Sequence, residues 1–297
     1  MVSLAKLPFP PNKKLGQNFL FDSEYLRKIV ENCSITPDTV IIEIGSGYGS
    51  LTNYLAETNC QKVVSYEKDK RLFDWLIANN QKKDKIVYVN EDASLINWPK
   101  IGIEYQNNSL LVVGNLPYYL ANSLLVELLF SYKYFQSWVF LVQKEVGQKW
   151  VAGPNKYSSN YSALSVLVNF LTGASATFTV PAPRFTPPSA VDGAVVVMKI
   201  HPLADVGQTQ LTAFFRFLKN CFRSRRKTLW NNLMNFAGNW ENGWDNYFRS
   251  QNHQKKIRPQ ELTPLEYWKL FTYWQNEKEN GIFQSKKIKK DETKTLY

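Results

Sequence analysis

The run Val40-Ile-Ile-Glu-Ile44 leads directly into Gly45-Ser-Gly-Tyr-Gly49, and this stretch decides the fold. A β-branched run followed by closely spaced glycines predicts a buried strand that turns sharply into a helix. Glycine lets the backbone approach a ligand closely, and the first turn of a helix offers free N–H donors. Gly49 follows Gly47 by two positions, whereas the dinucleotide fingerprint places its third glycine three positions after the second. The spacing therefore disfavours dinucleotide binding without excluding it.

Short β-branched runs alternate with stretches of helical periodicity as far as residue 200. This alternation is typical of a parallel sheet with helices on both faces. A Pro-rich segment at 181–188 separates the last two runs, which we expect to pair in antiparallel orientation. The predicted strands cover residues 39–44, 62–66, 86–89, 110–113, 138–142, 177–180 and 194–200. The sequence therefore predicts an α/β fold with a seven-stranded, Rossmann-like sheet.

Four segments follow from the distribution of prolines, charges and periodicity. Residues 1–20 are predicted to form a basic, extended N-terminal arm, and residues 21–202 are predicted to form the sheet domain. Periodicity becomes helical afterwards, so residues 203–280 are predicted to form a smaller helical domain. Residues 281–297 form a Lys-rich tail.

Two acids end the second and third predicted strands. Glu67 lies twenty positions after Gly47, where a carboxylate accepts the ribose hydroxyls of a bound nucleoside. Asp92 follows the next strand, where a carboxylate can meet an adenine amine. Either acid alone is more simply explained as a solvated strand end, but their joint placement after a glycine loop favours a ligand site.

The fourth strand ends in Asn115-Leu-Pro-Tyr118. The N6 lone pair of adenine is delocalised into the ring, so the amine is a poor nucleophile. Accepting its two hydrogens with the Asn115 side chain and a backbone carbonyl, for which Leu116 is the candidate, would localise that lone pair toward a methyl donor. Pro117 stiffens the loop, and Tyr118 stacks on a base that has left its own stack. An ordinary strand-to-helix turn with a buried tyrosine is the alternative.

The composition favours a polyanionic partner. The formal net charge is +11, from 36 lysines and arginines against 25 acidic residues. Such an excess neutralises phosphates and releases counterions, so nucleic acid is the first expectation. An anionic membrane surface would use the same charge, but no apolar run is long enough to span a bilayer and no targeting signal is evident. We therefore expect a cytoplasmic protein without membrane contact. We also expect it to be a monomer.

The cysteines and histidines give no sign of metal or histidine chemistry. Cys33, Cys60 and Cys221 are far apart, and neither His201 nor His253 adjoins another candidate ligand. We therefore predict no metal site, no disulfide framework and no catalysis by a histidine base.

Several short sequence motifs occur in the same order as in one known family and resemble that family's motifs. Asn115-Leu-Pro-Tyr118 and Glu43-Ile-Gly-Ser-Gly47 resemble the catalytic and cofactor loops of the ribosomal RNA adenine N6,N6-dimethyltransferase family, the KsgA type. Further blocks resemble that family: Lys14-Leu-Gly-Gln-Asn-Phe-Leu20, Gln143-Lys-Glu-Val146, Phe185-Thr-Pro-Pro188 with Val191-Asp192, and Arg225-Arg-Lys-Thr228. The resemblance runs from about residue 13 to 275 and implies a class I methyltransferase that uses S-adenosylmethionine.

The resemblance also implies roles for individual residues. Asn18 and Leu20 are expected to fold over the cofactor with Gly45, while Glu67 takes its ribose and Asp92 its adenine. Gln17 and Gly47 belong to the same expected cofactor site. Asn115 is expected to bridge cofactor and target, and Phe185 to stack on the target face opposite Tyr118.

The implied substrate is a pair of adjacent adenines in a hairpin near the 3′ end of small-subunit ribosomal RNA, within an assembling 30S-type subunit. One departure lies beside the catalytic loop, because Tyr119 stands where the family usually has an amide residue. This change leaves the shape of the pocket wall and the efficiency of a second methylation open. Gly193, where a serine is common, is a minor departure.

The helical domain carries the candidate RNA surface. Residues 206–240 hold no acid, and the predicted phosphate-binding residues are Arg223, Arg225, Arg226 and Lys227. A solvated helix face is the alternative. The tryptophans of this domain are assigned to its core rather than to base stacking: Trp230, Trp240 and Trp244.

Two other functions remain as rivals. One is the antibiotic-resistance type of large-subunit adenine methyltransferase, which shares the Asn-Pro-Tyr chemistry. The other is a noncatalytic ribosome-assembly or transcription factor of the same fold.

Overall fold

The computed structural model describes residues 7–12, 15–201, 205–237 and 240–279. These residues form two compact units. The first comprises the described residues up to Val151 together with Leu171–Asp205, and the second comprises Ala152–Phe170 together with the described residues from Val206 onward. Part of the predicted arm and all of the predicted tail at 281–297 lie outside the described residues.

The last division between the units, at Asp205 and Val206, lies close to the predicted boundary at 203, but the predicted sheet domain at 21–202 is not continuous, because Ala152–Phe170 belongs to the second unit. Phe170 stacks on Trp268 with ring centroids 4.9 Å apart. It also meets Phe214 edge-on at 5.3 Å. These aromatic contacts hold the segment in the helical unit although it lies between sheet strands in sequence.

Nine strands build the first unit. Seven of them form one sheet in the order β4-β3-β2-β5-β6-β9-β7, and β1 pairs with β8 in a separate two-stranded ribbon. Strand β9 runs antiparallel to both β6 and β7, whereas the remaining pairs of the large sheet are parallel. This architecture confirms the predicted fold class. The strands are β1 (Phe19–Leu20), β2 (Thr39–Ile44), β3 (Lys62–Tyr66), β4 (Ile86–Val89), β5 (Ser109–Asn115), β6 (Ser137–Gln143), β7 (Thr172–Val180), β8 (Phe185–Thr186) and β9 (Gly193–Ile200).

Burial explains which strands the sequence defined well. All six residues of β2 are buried, and strands covered on both faces appear in sequence as continuous apolar runs. Strand β7 begins five residues before its predicted start at 177. The sequence analysis missed its first half because that half is built from small residues, and because most residues of the strand are only partly buried or exposed. Such an edge strand carries little hydrophobic signal.

The order of the strands positions a crevice. The chain moves from β2 through β3 to β4 on one side of the sheet, and returns to place β5 and β6 on the other side of β2. Ile44 pairs with Tyr66 on one neighbour and with Gly114 on the other. The loops that follow β2, β3 and β5 therefore open at the same edge, at the switch point where α/β sheets bind ligands.

Eleven α-helices are seen in the described residues. No helix in that part of the chain is long and apolar enough to cross a membrane. Those of the first unit are α1 (Ser23–Glu31), α2 (Ser50–Glu57), α3 (Lys70–Asn79), α4 (Trp98–Glu104), α5 (Ala121–Phe130) and α6 (Lys144–Trp150). The second unit follows with α7 (Ala163–Leu171), whose last residue belongs to the first unit, α8 (Gln208–Cys221), α9 (Leu229–Phe236), α10 (Glu241–Ser250) and α11 (Pro264–Glu279).

The second unit is helical, as predicted, and its core is largely aromatic. Trp240 and Trp244 are buried and meet edge-to-face at 4.4 Å, as we expected for core residues. Trp230 is only half-buried, and the ammonium of Lys255 lies 3.9 Å from its ring centroid. The third tryptophan is therefore a partly exposed cation–π partner rather than a fully buried one.

Candidate active site

A cavity of about 330 Å³ lies at the carboxyl ends of the parallel strands of the first unit. This volume is in the range of small-molecule sites. Among the predicted site residues, it is lined by Gln17, Asn18, Gly45, Gly47, Glu67, Asp92, Asn115, Leu116, Pro117, Tyr118 and Phe185. The loops after different strands thus bring the cofactor and target candidates to one place.

Leu20 is the one predicted cofactor residue that is not among the residues lining the cavity. Its side chain is buried in the hydrophobic core cluster that also contains Phe185. The two residues face each other across the antiparallel β1–β8 ribbon. Leu20 therefore supports Phe185 from the core, and its expected contact with the cofactor stays a prediction.

The glycine loop has the backbone conformation that glycine alone adopts readily. Gly45 and Gly47 have φ angles of +80° and +56°, which place both in or near the left-handed region. A Cβ atom on Gly47 would lie 2.9 Å from Cδ1 of Phe19. The loop therefore needs glycine at position 47 both for its conformation and for the close approach of the arm.

Glu67 follows β3 and ties this loop to the next one. Its Oε2 accepts the N–H of Gly47 at 2.8 Å, and its Oε1 accepts the N–H of Asp69 at 2.8 Å. Burial raises the pKa of Glu67 despite these hydrogen bonds, which favour the ionised form. Each carboxylate oxygen has a second lone pair for a further donor, so the side chain is poised to accept two hydroxyls.

Asp92 is paired in a way that the sequence analysis did not predict. Its Oδ2 lies 2.5 Å from the ammonium of Lys68, and its Oδ1 accepts the N–H of Ser94 at 3.0 Å. Partial burial opposes ionisation, but the hydrogen bonds from Lys68 and Ser94 outweigh it and lower the pKa of Asp92. Lys68 also lines the cavity, and its position directly after Glu67 was the only sequence signal for it.

Asn115 ends β5 with its side chain held in one orientation. Its Nδ2 donates to the backbone oxygen of Asn18 at 2.9 Å. The adjacent backbone is fixed too, because the N–H of Leu116 donates to the oxygen of Leu141 at 2.9 Å. With the amide nitrogen engaged by the arm, Oδ1 is the atom of Asn115 that can accept a proton donor from a ligand.

The aromatic residues at the cavity differ in exposure. Tyr118 and Tyr119 are 69% and 52% exposed, so each presents its ring at the mouth. Phe185 is buried and forms part of the cavity wall. The departure at Tyr119 therefore lies on the wall of the cavity itself.

The arm is fastened to the first unit by polar contacts. The Oε1 of Gln17 accepts the N–H of Asn12 at 2.7 Å, and its Nε2 donates to Asp69 at 3.2 Å. The hydroxyl of Tyr48 donates to the oxygen of Phe9 at 2.6 Å. Gln17 lines the cavity, but its amide serves to hold the arm.

The predicted RNA residues lie in the second unit, in a loop at 222–228 between α8 and α9 that we call the basic loop. Arg223, Arg226 and Lys227 are exposed there. Arg225 is only half-exposed, and its guanidinium donates to two backbone carbonyls of the same unit. Three of the four predicted residues are therefore placed on the surface, whereas Arg225 points inward.

No group of three or more metal-ligating side chains is found in the part of the chain that the structure describes. The three cysteines are free and buried, and burial raises the pKa of Cys33 to about 12.

Comparison with known proteins agrees with this geometry. A family model described as ribosomal RNA adenine dimethylase matches residues 9–272. The chain belongs to this family. The family membership confirms the predicted resemblance and makes the chain a methyltransferase that uses S-adenosylmethionine.

Related proteins and structures agree with this assignment. The ribosomal RNA small subunit methyltransferase A of Streptococcus thermophilus is 38% identical over 242 residues, which cover 80% of this chain and 82% of the relative. The protein of the same name from Streptococcus pneumoniae is 37% identical over 240 residues, with the same two shares. A dimethyladenosine transferase from Plasmodium falciparum superposes with a TM-score of 0.69 at 21% identity, over 89% of this chain and 98% of that one. The 23S rRNA methyltransferase ErmE gives a TM-score of 0.66 at 22% identity, over 86% and 99%. At these identities the two structures show the fold alone.

The cavity of this adenine dimethylase family member fits the cofactor. Glu67 is almost fully buried yet keeps acceptor capacity toward the cavity, which suits the paired hydroxyls of a ribose. Asp92 offers carboxylate oxygens beside it, and the glycine loop leaves room for a ligand close to the backbone.

Proposed function

We propose that this protein transfers methyl groups from S-adenosylmethionine to N6 of two adjacent adenines in the 3′-terminal hairpin of small-subunit ribosomal RNA. The proposal includes a role in maturation of the small subunit. It rests on the names of the relatives, which specify the small subunit, and on the orientation of Asn115 in the cavity.

The orientation of Asn115 is the observation that carries the chemistry. Its Nδ2 donates to the arm, so Oδ1 remains to accept one hydrogen of the target amine. The backbone oxygen of Leu116 takes the other hydrogen. Both acceptors draw the nitrogen lone pair out of the ring, and this stabilises the charge that develops on N6 as it attacks.

The reaction needs positioning more than a strong base. When bound, S-adenosylmethionine would supply an electrophilic methyl group on its sulfonium, and transfer of this group to N6 would break the S–C bond, leave S-adenosylhomocysteine and release one proton from N6. Pro117 restricts the loop, exposed Tyr118 stacks on one face of the flipped adenine, and Phe185 packs on the opposite face. The reaction does not require a histidine base, and the chain contains only two histidines.

The cofactor residues act through hydrogen bonds to its nucleoside. Glu67 accepts the ribose hydroxyls, and Asp92 accepts the adenine amine while Lys68 holds its other oxygen. Gly45 and Gly47 allow the ligand to lie close to the backbone, and Asn18 holds the arm over it.

The basic loop contacts phosphates of the RNA. Arg223, Arg226 and Lys227 are exposed and provide charge without reading sequence. The proposed partner is small-subunit RNA within an assembling 30S-type subunit, bound by a monomer in the cytoplasm.

The test is methyl transfer from labelled cofactor to isolated small and large ribosomal subunits. We expect label in the small-subunit RNA only. Label confined to the large subunit would favour the antibiotic-resistance type of enzyme instead. RNA binding without transfer to either subunit or its precursor would indicate a noncatalytic assembly or transcription factor.

A further inference from the structure

Two loops of the second unit carry basic residues without any acid. One is the basic loop at 222–228, and the other is the segment 152–162, which we call the tyrosine loop. Together they contain five positively charged residues: Lys156, Arg223, Arg225, Arg226 and Lys227. The sequence analysis predicted RNA contacts for all of these except Lys156. The tyrosine loop has no role in the function proposed above.

Arg225 joins the two loops. Its Nη2 donates to the backbone oxygen of Ser158 at 3.1 Å and to that of Tyr161 at 2.6 Å. Hydrogen bonds from a charged donor are stronger than neutral ones. Arg225 therefore fixes the tyrosine loop beside the exposed cations of the basic loop.

The tyrosine loop is held at further points by the turn that precedes α11. The N–H of Asn155 donates to the oxygen of Gln260 at 2.8 Å, and the Nε2 of Gln260 donates to the oxygen of Lys156 at 3.2 Å. The hydroxyl of Tyr161, which is fully buried, donates to the oxygen of Leu262 at 3.0 Å. These contacts order the backbone of the loop on both sides of Tyr157.

The side chain of Tyr157 projects from this ordered backbone into solvent. It is 87% exposed, more than any other large hydrophobic side chain that the structure describes. Its N–H donates to the Asn155 side chain at 2.8 Å, and the ammonium of Lys156 lies 5.9 Å from its ring centroid. An exposed ring on a fixed backbone loses little conformational entropy when a ligand stacks on it.

We infer that Tyr157 stacks on an unpaired nucleobase of the RNA whose phosphates contact the basic loop. Every base has a π-face, and proteins that bind single strands combine such aromatic platforms with a positively charged groove. The absence of acids from both loops favours RNA over a protein partner. This inference rests on the proposed function, which supplies an RNA as the substrate.

The experiment measures binding of labelled RNA by fluorescence anisotropy, with single-stranded RNA of about 12 nucleotides and the corresponding duplex. Tyr157→Ala should weaken binding of the single strand at least about fivefold, the lower end of what one stacked base contributes. Tyr157→Phe keeps the ring and should bind as the unaltered protein does. Leu265→Ala, which removes another exposed apolar side chain from the same unit, is the control and should have no effect.

Three results would overturn the inference. The first is unchanged affinity of Tyr157→Ala for the single strand. The second is an equal loss of affinity for the duplex. The third is a loss of affinity for assembled subunits but not for free RNA, which would indicate a protein partner. Methyl transfer to small subunits by the unaltered protein is measured in parallel. Transfer combined with an inert Tyr157 refutes the stacking role alone, whereas a lack of transfer refutes the proposed function.

The role of Arg225 is tested by a double-mutant cycle. Because Arg225 acts by holding the loop, Tyr157→Ala should cost less RNA affinity in an Arg225→Gln background than in the unaltered protein. Melting curves check that the variants are folded. Fully additive losses would show that Arg225 does not position Tyr157.

Discussion

Glu43 provides a test of the buried core beneath the cofactor loop. Its carboxyl group is buried in β2, and its Oε2 accepts the hydroxyls of Thr52 and Ser65 at 2.6 and 2.5 Å. Its Oε1 has no hydrogen-bond partner among the described residues. Burial raises the pKa of Glu43 to about 7, although the two hydroxyls favour the ionised form.

The magnitude follows from this pKa and the ordinary value of 4.5. Between the two values the folded state keeps a proton that the unfolded chain has released, so stability falls as pH rises. The loss amounts to about 3 kcal/mol at pH 8 and less than about 1 kcal/mol at pH 5, at 1.36 kcal/mol per pKa unit. Glu43→Gln removes the ionisation and keeps the shape, so we expect its stability relative to the unaltered protein to rise by about 2.5 kcal/mol between pH 5 and pH 8.

The assay is thermal unfolding by calorimetry across this pH range. A difference of about 2.5 kcal/mol corresponds to about 5–10 °C in melting temperature for a unit of this size. Glu57→Gln, at an exposed position of α2, is the matched control and should change stability by less than about 0.5 kcal/mol at any pH. An advantage of Glu43→Gln that is the same at pH 5 and pH 8 would refute the burial of a neutral acid.

Three further predictions concern the two binding surfaces. Gly47→Ala puts a residue with a Cβ atom into a left-handed conformation, which costs about 1–2 kcal/mol, and places that Cβ 2.9 Å from Phe19. Calorimetry should therefore show that the variant binds S-adenosylhomocysteine at least about tenfold more weakly. Unchanged affinity would contradict the loop geometry. Burial raises the pKa of Glu67, so on acidification cofactor affinity should begin to fall at a higher pH than it would if this glutamate had its ordinary pKa. Glu67→Gln should bind the cofactor weakly, and its affinity should depend less on pH. An unchanged pH dependence in this variant would show that another group titrates. Replacing the three exposed cations of the basic loop by glutamine should reduce the slope of log K for RNA association against log salt concentration by about 2–3. An unchanged slope would indicate that this loop is a solvated surface without phosphate contacts.

The fold was predictable because its central strands are buried on both faces. The central strands β2 and β3 have the predicted bounds, because residues 39–44 and 62–66 form largely buried apolar runs bounded by turns. Strand β4 at 86–89 also has its predicted bounds, although it lies at the edge of the sheet and Val87 is exposed. The cavity was predictable for a related reason. Glycines and acids that end parallel strands meet at one edge of the sheet, so spacing alone brought Gly47, Glu67 and Asp92 together.

The structure differs from the sequence predictions where a side chain has several possible partners. Leu20 adjoins cavity residues in sequence but turns into the core, because successive residues of a strand face opposite sides. Lys68 pairs with Asp92 across two loops, and Arg225 donates to carbonyls of a distant segment. Sequence patterns give the type and order of the elements but not these long-range contacts.

The most direct test of the central claim is mass analysis of nucleosides after reaction with small-subunit precursors. The unaltered protein should produce N6,N6-dimethyladenosine. Asn115→Ala should lower the rate by about 10²–10³, because it removes an acceptor that acts in the transition state, while S-adenosylhomocysteine binding is partly retained. Full activity in Asn115→Ala, or adenines left unmethylated by the unaltered protein, would contradict the account.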